Sequence, residues 1–249
     1  MKEIDWANLS FGYMKTDYNV RCYYRDGAWG ELELCSEETL NIHMAATCLH
    51  YGQEAFEGLK AYRGKDGKIR IFRPEANAQR LQSTCNGILM PELPTETFLA
   101  AVKKVVKANE RFIPPYESGA SLYIRPLLIG TGAQVGVHPA NEYMFVVFVT
   151  PVGPYFKGGF STNPYVIIRE FDRAALMELV FTRWVVTMQP VFVPTRKHMT
   201  WGTLASSISM QKKRNISMNV VLPISSVLKI IRISRRNQLL SCLLSLIRA

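Results

Sequence analysis

The chain has 249 residues, 48% of them apolar and 20% charged, which is ordinary for a soluble globular protein of one large domain or two small ones. Its formal charge of +10 would suit a nucleic-acid or membrane partner, but the charge is unevenly placed. Residues 1–175 carry 19 Lys+Arg against 19 Asp+Glu, whereas residues 176–249 carry 11 against the single acid Glu178. That last segment also has no Tyr, no Asp and only one glycine, Gly202, so the composition breaks near residue 175. The five cysteines (Cys22, Cys35, Cys48, Cys85 and Cys242) form no CxxC or Cys/His cluster, which argues against a metal site or a disulfide framework. An odd number of scattered thiols fits a reducing cytoplasm. The opening MKEIDWANLS lacks the basic start and apolar run of a signal peptide, and no 18-residue apolar stretch predicts a membrane span.

In chain order, Val20–Glu33 predicts two short strands around a turn at Asp26-Gly27. Asn41–His50 is too mixed to assign. Ala61–Phe72 predicts a second hairpin, with GKDG at Gly64–Gly67 as its turn. Pro74 stands where a helix can begin, its missing N–H being harmless there, and Ala76–Cys85 is predicted as that helix. Thr95–Arg111 is the clearest helix, with Phe98, Leu99, Val102, Val105 and Val106 on one face, and Pro114-Pro115 after it. Ser121–Ile129 and Tyr143–Thr150 predict strands, the second apolar enough to be buried on both faces. Strands mixed with two helices imply an α+β domain.

Three stretches place a tyrosine or arginine among residues that otherwise suit a core: LHYGQEAFEGLKAYR (Leu49–Arg63), FRPEANAQRL (Phe72–Leu81) and SLYIRP (Ser121–Pro126). Arg80 lies one helical turn after Ala76 and is either a solvated helix residue or a fork for a phosphate. Tyr51 and Phe56, between and beside glycines, are either turn-packing aromatics or pocket walls. Tyr123 and Arg125, two apart on a strand, share one face, where the arginine needs an internal ion pair or an external anion.

These stretches, with the FGYMKTD opening, resemble the amino-terminal part of branched-chain amino acid aminotransferases, enzymes of pyridoxal-phosphate fold type IV, over about residues 11–175. The resemblance implies the small α+β domain of that fold over residues 1–165 and the start of an interdomain linker at 166–175. It implies pyridoxal 5'-phosphate as cofactor with Arg80 on its phosphate, and a homodimer. Tyr51 and Phe56 become apolar walls for Val, Leu or Ile; Arg125, with Tyr123 beside it, takes the distal carboxylate of glutamate or 2-oxoglutarate; Tyr155 in PVGPYFKGG becomes a further pocket tyrosine. A D-amino acid aminotransferase or an aminodeoxychorismate lyase is the alternative within the fold, and the Tyr123/Arg125 pair and the length of the HYGQEAFEG match argue against both.

The family's Schiff-base lysine stands downstream of Arg173 of the DRAA run, in a Tyr-Lys-x-Gly-Gly-Asn-Tyr motif. Here no lysine occurs between Lys157 and Lys197, so no catalytic residue is assigned. When the segment from Leu176 is back-translated and read one base earlier, LMELVFTRWVVTMQPVF accommodates His-Gly-Thr-Gly-Ile-Tyr-Lys-Val-Gly-Gly-Asn-Tyr-Ala-Ala-Ser-Leu, which contains that motif. The expectation is a one-base deletion just before Leu176: residues 176–249 are a frameshifted tail, the large domain is not encoded, and the polypeptide does not transaminate. The rival reading, a basic membrane- or nucleic-acid-binding tail, is weakened by poor helical periodicity and by the absence of aromatic residues after Trp201.

Overall fold

A computed structural model describes residues 4–154. Two ten-residue strands, β7 (Ser121–Gly130) and β8 (Tyr143–Val152), pair antiparallel along their whole length, from Ser121↔Val152 to Gly130↔Tyr143. β8 is buried on both faces, as its run of Met, Phe and Val dictates. Around this pair the sheet adds β1 (Asn19–Arg25), β2 (Ala28–Trp29), β3 (Glu33–Cys35), β4 (Glu54–Phe56), β5 (Leu59–Arg63) and β6 (Ile69–Ile71). The order is β2-β1-β8-β7-β5-β6, with β3 also on β1 and β4 also on β7. The turn between β1 and β2 falls at Asp26-Gly27, both with positive φ (51° and 78°), the backbone a two-residue hairpin turn requires. The short helix α1 (Thr47–Tyr51) leads into β4 from the stretch too mixed to assign.

One face of the sheet carries two helices. The first, α2 (Pro74–Gly87), starts with Pro74 in its first turn, as expected, and runs past both predicted ends. In α3 (Thr95–Ala108), Phe98, Ala101, Val102, Val105 and Val106 are buried against the sheet, and the Phe98 ring lies 5.9 Å from that of Phe145. This helix stops three residues before the predicted Arg111, where Asn109 leaves helical geometry and its side chain holds the segment at Asp17 and Tyr18. Its buried amide donates to the carbonyls of Val105 (2.8 Å) and Tyr18 (2.9 Å) and accepts from the N–H groups of Asp17 and Tyr18 (both 3.0 Å).

The second face is covered unevenly. Leu40, Ile42 and Cys48 pack over Ile129, Met144 and Val146. The amino-terminal segment crosses β8, where Thr150 Oγ1 accepts from the Met14 N–H (2.8 Å) and Thr16 Oγ1 donates to the Val149 carbonyl (3.1 Å). Among the described residues, no helix is long and apolar enough to cross a membrane, and no group of His, Cys, Asp and Glu could hold a metal ion.

Candidate active site

β4 and β5 share one register on β7: Glu54↔Ile129, Phe56↔Leu127, Leu59↔Ile124 and Lys60↔Tyr123. The pleat therefore sends Ala55, Glu57, Leu59 and Ala61 to the helix side and Phe56, Gly58 and Lys60 to the second face. An acid in the first set must be paired, because that side is the core. Glu57 is fully buried (0% exposed), and α2 meets it with two residues one turn apart. Arg80 donates through Nε (2.7 Å) and Nη2 (2.6 Å) to the two carboxylate oxygens, and Asn77 Nδ2 donates to Oε2 (2.8 Å). The fork that the sequence reading offered to a phosphate is thus closed on Glu57. The guanidinium remains 39% exposed, and none of these bonds uses its Nη1.

The second face gathers the other polar candidates. Arg125 lies with its guanidinium carbon 4.8 Å from the centroid of Phe56 and 5.3 Å from that of Tyr123. Its Nε is buried and has no hydrogen-bond partner among the described residues. Tyr123 leans over Gly58, where a Cβ would stand 2.6 Å from the tyrosine hydroxyl, and Phe11 meets the Tyr123 ring edge-on at 5.4 Å. Lys60, opposite Tyr123 and half-buried, is in no ion pair or hydrogen bond among the described residues, and burial pushes its amine below the ordinary lysine value. Phe56, Glu57 and Gly58 are therefore three consecutive residues with separate tasks: one walls Arg125, one orients Arg80, one makes room for Tyr123.

Haemophilus influenzae branched-chain-amino-acid aminotransferase is 54% identical to this chain over 177 residues, a match covering 71% of the chain and 51% of the relative. Over that match the chain belongs to the branched-chain aminotransferase family. Among solved structures, the Escherichia coli branched-chain amino acid aminotransferase aligns with a TM-score of 0.64 at 20% identity, covering 82% of this chain and 62% of that one. The Thermobaculum terrenum branched-chain amino acid aminotransferase in its PLP-form aligns at 0.60 and 16%, covering 80% and 60%. These two likenesses establish the fold, the amino-terminal region of fold type IV aminotransferases. No protein-family model matches. The chain spans about half the length of the curated relatives it matches.

Within this branched-chain aminotransferase region, Phe56, Tyr123 and Arg125 come together. Tyr51 stands apart: exposed at the end of α1, its hydroxyl donates to the carbonyl of Val135, and its ring meets His50. Arg80 lies on the helix side of the sheet whose second face holds Arg125. Tyr155, the boundary at residue 165, the linker and residues 176–249 lie outside the described residues. Sequence reasoning missed Glu57, Gly58 and Lys60. The signal for Glu57 was present: it is the one acid at the alternation of Ala55, Leu59 and Ala61.

Proposed function

We propose that this domain is the substrate-side half of a branched-chain aminotransferase site, in which Arg125 takes the distal carboxylate of glutamate or 2-oxoglutarate. One observation carries the reading: a guanidinium between two aromatic rings whose buried Nε meets no acceptor among the described residues. An orphaned buried donor costs about 1–3 kcal/mol, and a carboxylate would remove that cost through a charge-assisted bond. The Phe56 and Tyr123 rings exclude water from the cation and offer apolar walls to Val, Leu or Ile, with Tyr51 and Tyr155 proposed as further pocket residues.

Pyridoxal 5'-phosphate, when bound, supplies the electron sink through which an amino group passes between carbon skeletons. The free Nη1 edge of Arg80 fits one phosphate oxygen, with Glu57 fixing the direction of that edge. A homodimer and a cytoplasmic location are part of the same proposal. So is the reading of residues 176–249 as out of frame, with the Schiff-base lysine lost and no transamination by this polypeptide. The nucleotide sequence across the Ala175 codon tests that last part, and an uninterrupted frame overturns it, as does turnover of leucine with 2-oxoglutarate. The carboxylate site is tested by calorimetric titration with 2-oxoglutarate: saturable binding to the parent chain and none to Arg125→Gln is expected. Equal binding by both sinks the assignment.

A further inference from the structure

We propose that Lys60 is an imine-forming amine for small anionic aldehydes, whose carboxylate is held by Arg125. The inference rests on the anion-binding reading of Arg125 given above and adds a covalent site beside it.

The common register of β4, β5 and β7 puts Lys60 opposite Tyr123 and Gly58 opposite Arg125, so the lysine and the arginine are diagonal neighbours on one sheet face. Such neighbours lie about 7–8 Å apart, their Cβ atoms somewhat closer, within joint reach of a four-carbon ligand. Tyr123, opposite Lys60 on β7, leans over Gly58, so its ring lies across the diagonal between the lysine and the arginine, and a ligand reaching both would lie over that ring. Neither cation is met by a carboxylate among the described residues, and the nearer acid on the same face, Glu54, pairs with Ile129 at the far end of β7. Two unpaired cations on one half-buried face call for an anionic partner. A lysine desolvated in this way loses its proton more readily, the usual means of making an amine nucleophilic at neutral pH. The amine nitrogen adds to the aldehyde carbon, the carbinolamine oxygen leaves as water with protons from nitrogen and solvent, and a C=N bond remains. Cyanoborohydride, supplied as reductant, delivers hydride to that carbon and fixes the product as a secondary amine.

The test treats the full chain with succinic semialdehyde or with butanal, an aldehyde of equal length lacking the carboxylate, in the presence of cyanoborohydride, and locates the label by peptide mass analysis. Lys60 is expected to be modified before the exposed Lys65, Lys68, Lys103 and Lys107 by succinic semialdehyde. In Arg125→Gln the Lys60 label should fall about tenfold, the loss expected for a charge-assisted hydrogen bond. Butanal should show no such dependence on Arg125. Labelling of Lys60 no faster than the exposed lysines overturns the inference. If 2-oxoglutarate still binds in an Arg125-dependent manner in that case, the carboxylate reading survives it. Preferential Lys60 labelling that Arg125→Gln leaves unchanged overturns the role of Arg125 in both.

Discussion

Removing Arg80 should destabilise this domain more than neutralising the carboxylate it holds. In Arg80→Met the aliphatic stem is kept but Glu57, with 0% of its side chain exposed, loses its guanidinium. Breaking a buried ion pair from one side costs about 3–5 kcal/mol, because the remaining charge is desolvated and has lost its counter-charge, the neutral Asn77 Nδ2 remaining as donor. In Glu57→Gln the charge left over is that of Arg80, which is 39% exposed and can rehydrate, and the amide oxygen still accepts one bond. That loss should be about 1–2 kcal/mol. Urea unfolding at neutral pH, followed by circular dichroism, measures both, and the double variant gives a coupling energy above about 1 kcal/mol if the two side chains act as a unit. A loss below about 0.5 kcal/mol for Arg80→Met, or a larger loss for Glu57→Gln, would refute the asymmetry and with it the buried carboxylate as the anchor of Arg80.

Other substitutions separate folding from binding. Gly58→Ala puts a Cβ 2.6 Å from the Tyr123 hydroxyl, the movable end of a side chain, so stability should drop by only about 1 kcal/mol while 2-oxoglutarate affinity falls; unchanged affinity in the titration would show that Tyr123 does not need this space. Asn109→Ala strands the N–H groups of Asp17 and Tyr18 and should cost about 2–4 kcal/mol in the same urea assay, with the amino-terminal segment exchanging its amide hydrogens first. Burial raises the Glu54 carboxyl above its ordinary value of 4.5, so the folded state prefers the protonated form, and stability contributed at low pH is lost as pH rises through the folded value. Glu54→Gln should therefore raise the thermal midpoint at pH 7 and lose that advantage below about pH 4.5; a constant difference across pH would contradict this.

Much of the frame was legible because local patterns and tertiary packing agree in it. Asp26-Gly27 can adopt the two positive φ values its hairpin needs, α3 has one apolar stripe, and the run from Tyr143 can only be a buried strand. The gathering of Tyr123 and Arg125 on one face followed from the two-residue period alone. What stayed hidden depends on partners distant in sequence. The clamp on Arg80 was not legible because its partner, Glu57, lies 23 residues away, just past a strand of three residues. The end of α3 moved because the Asn109 side chain bonds residues 91 and 92 positions earlier. Lys60 drew no notice because its meaning comes from what does not touch it, and only coordinates report that.

The most direct measurement is the 15N resonance of the Arg125 Nε–H followed by NMR as 2-oxoglutarate is added to the full chain. A saturable downfield shift of that signal, absent when the corresponding neutral ester is added, is the predicted result. A resonance that does not move while the ligand saturates would mean that the guanidinium between Phe56 and Tyr123 is not a carboxylate receptor.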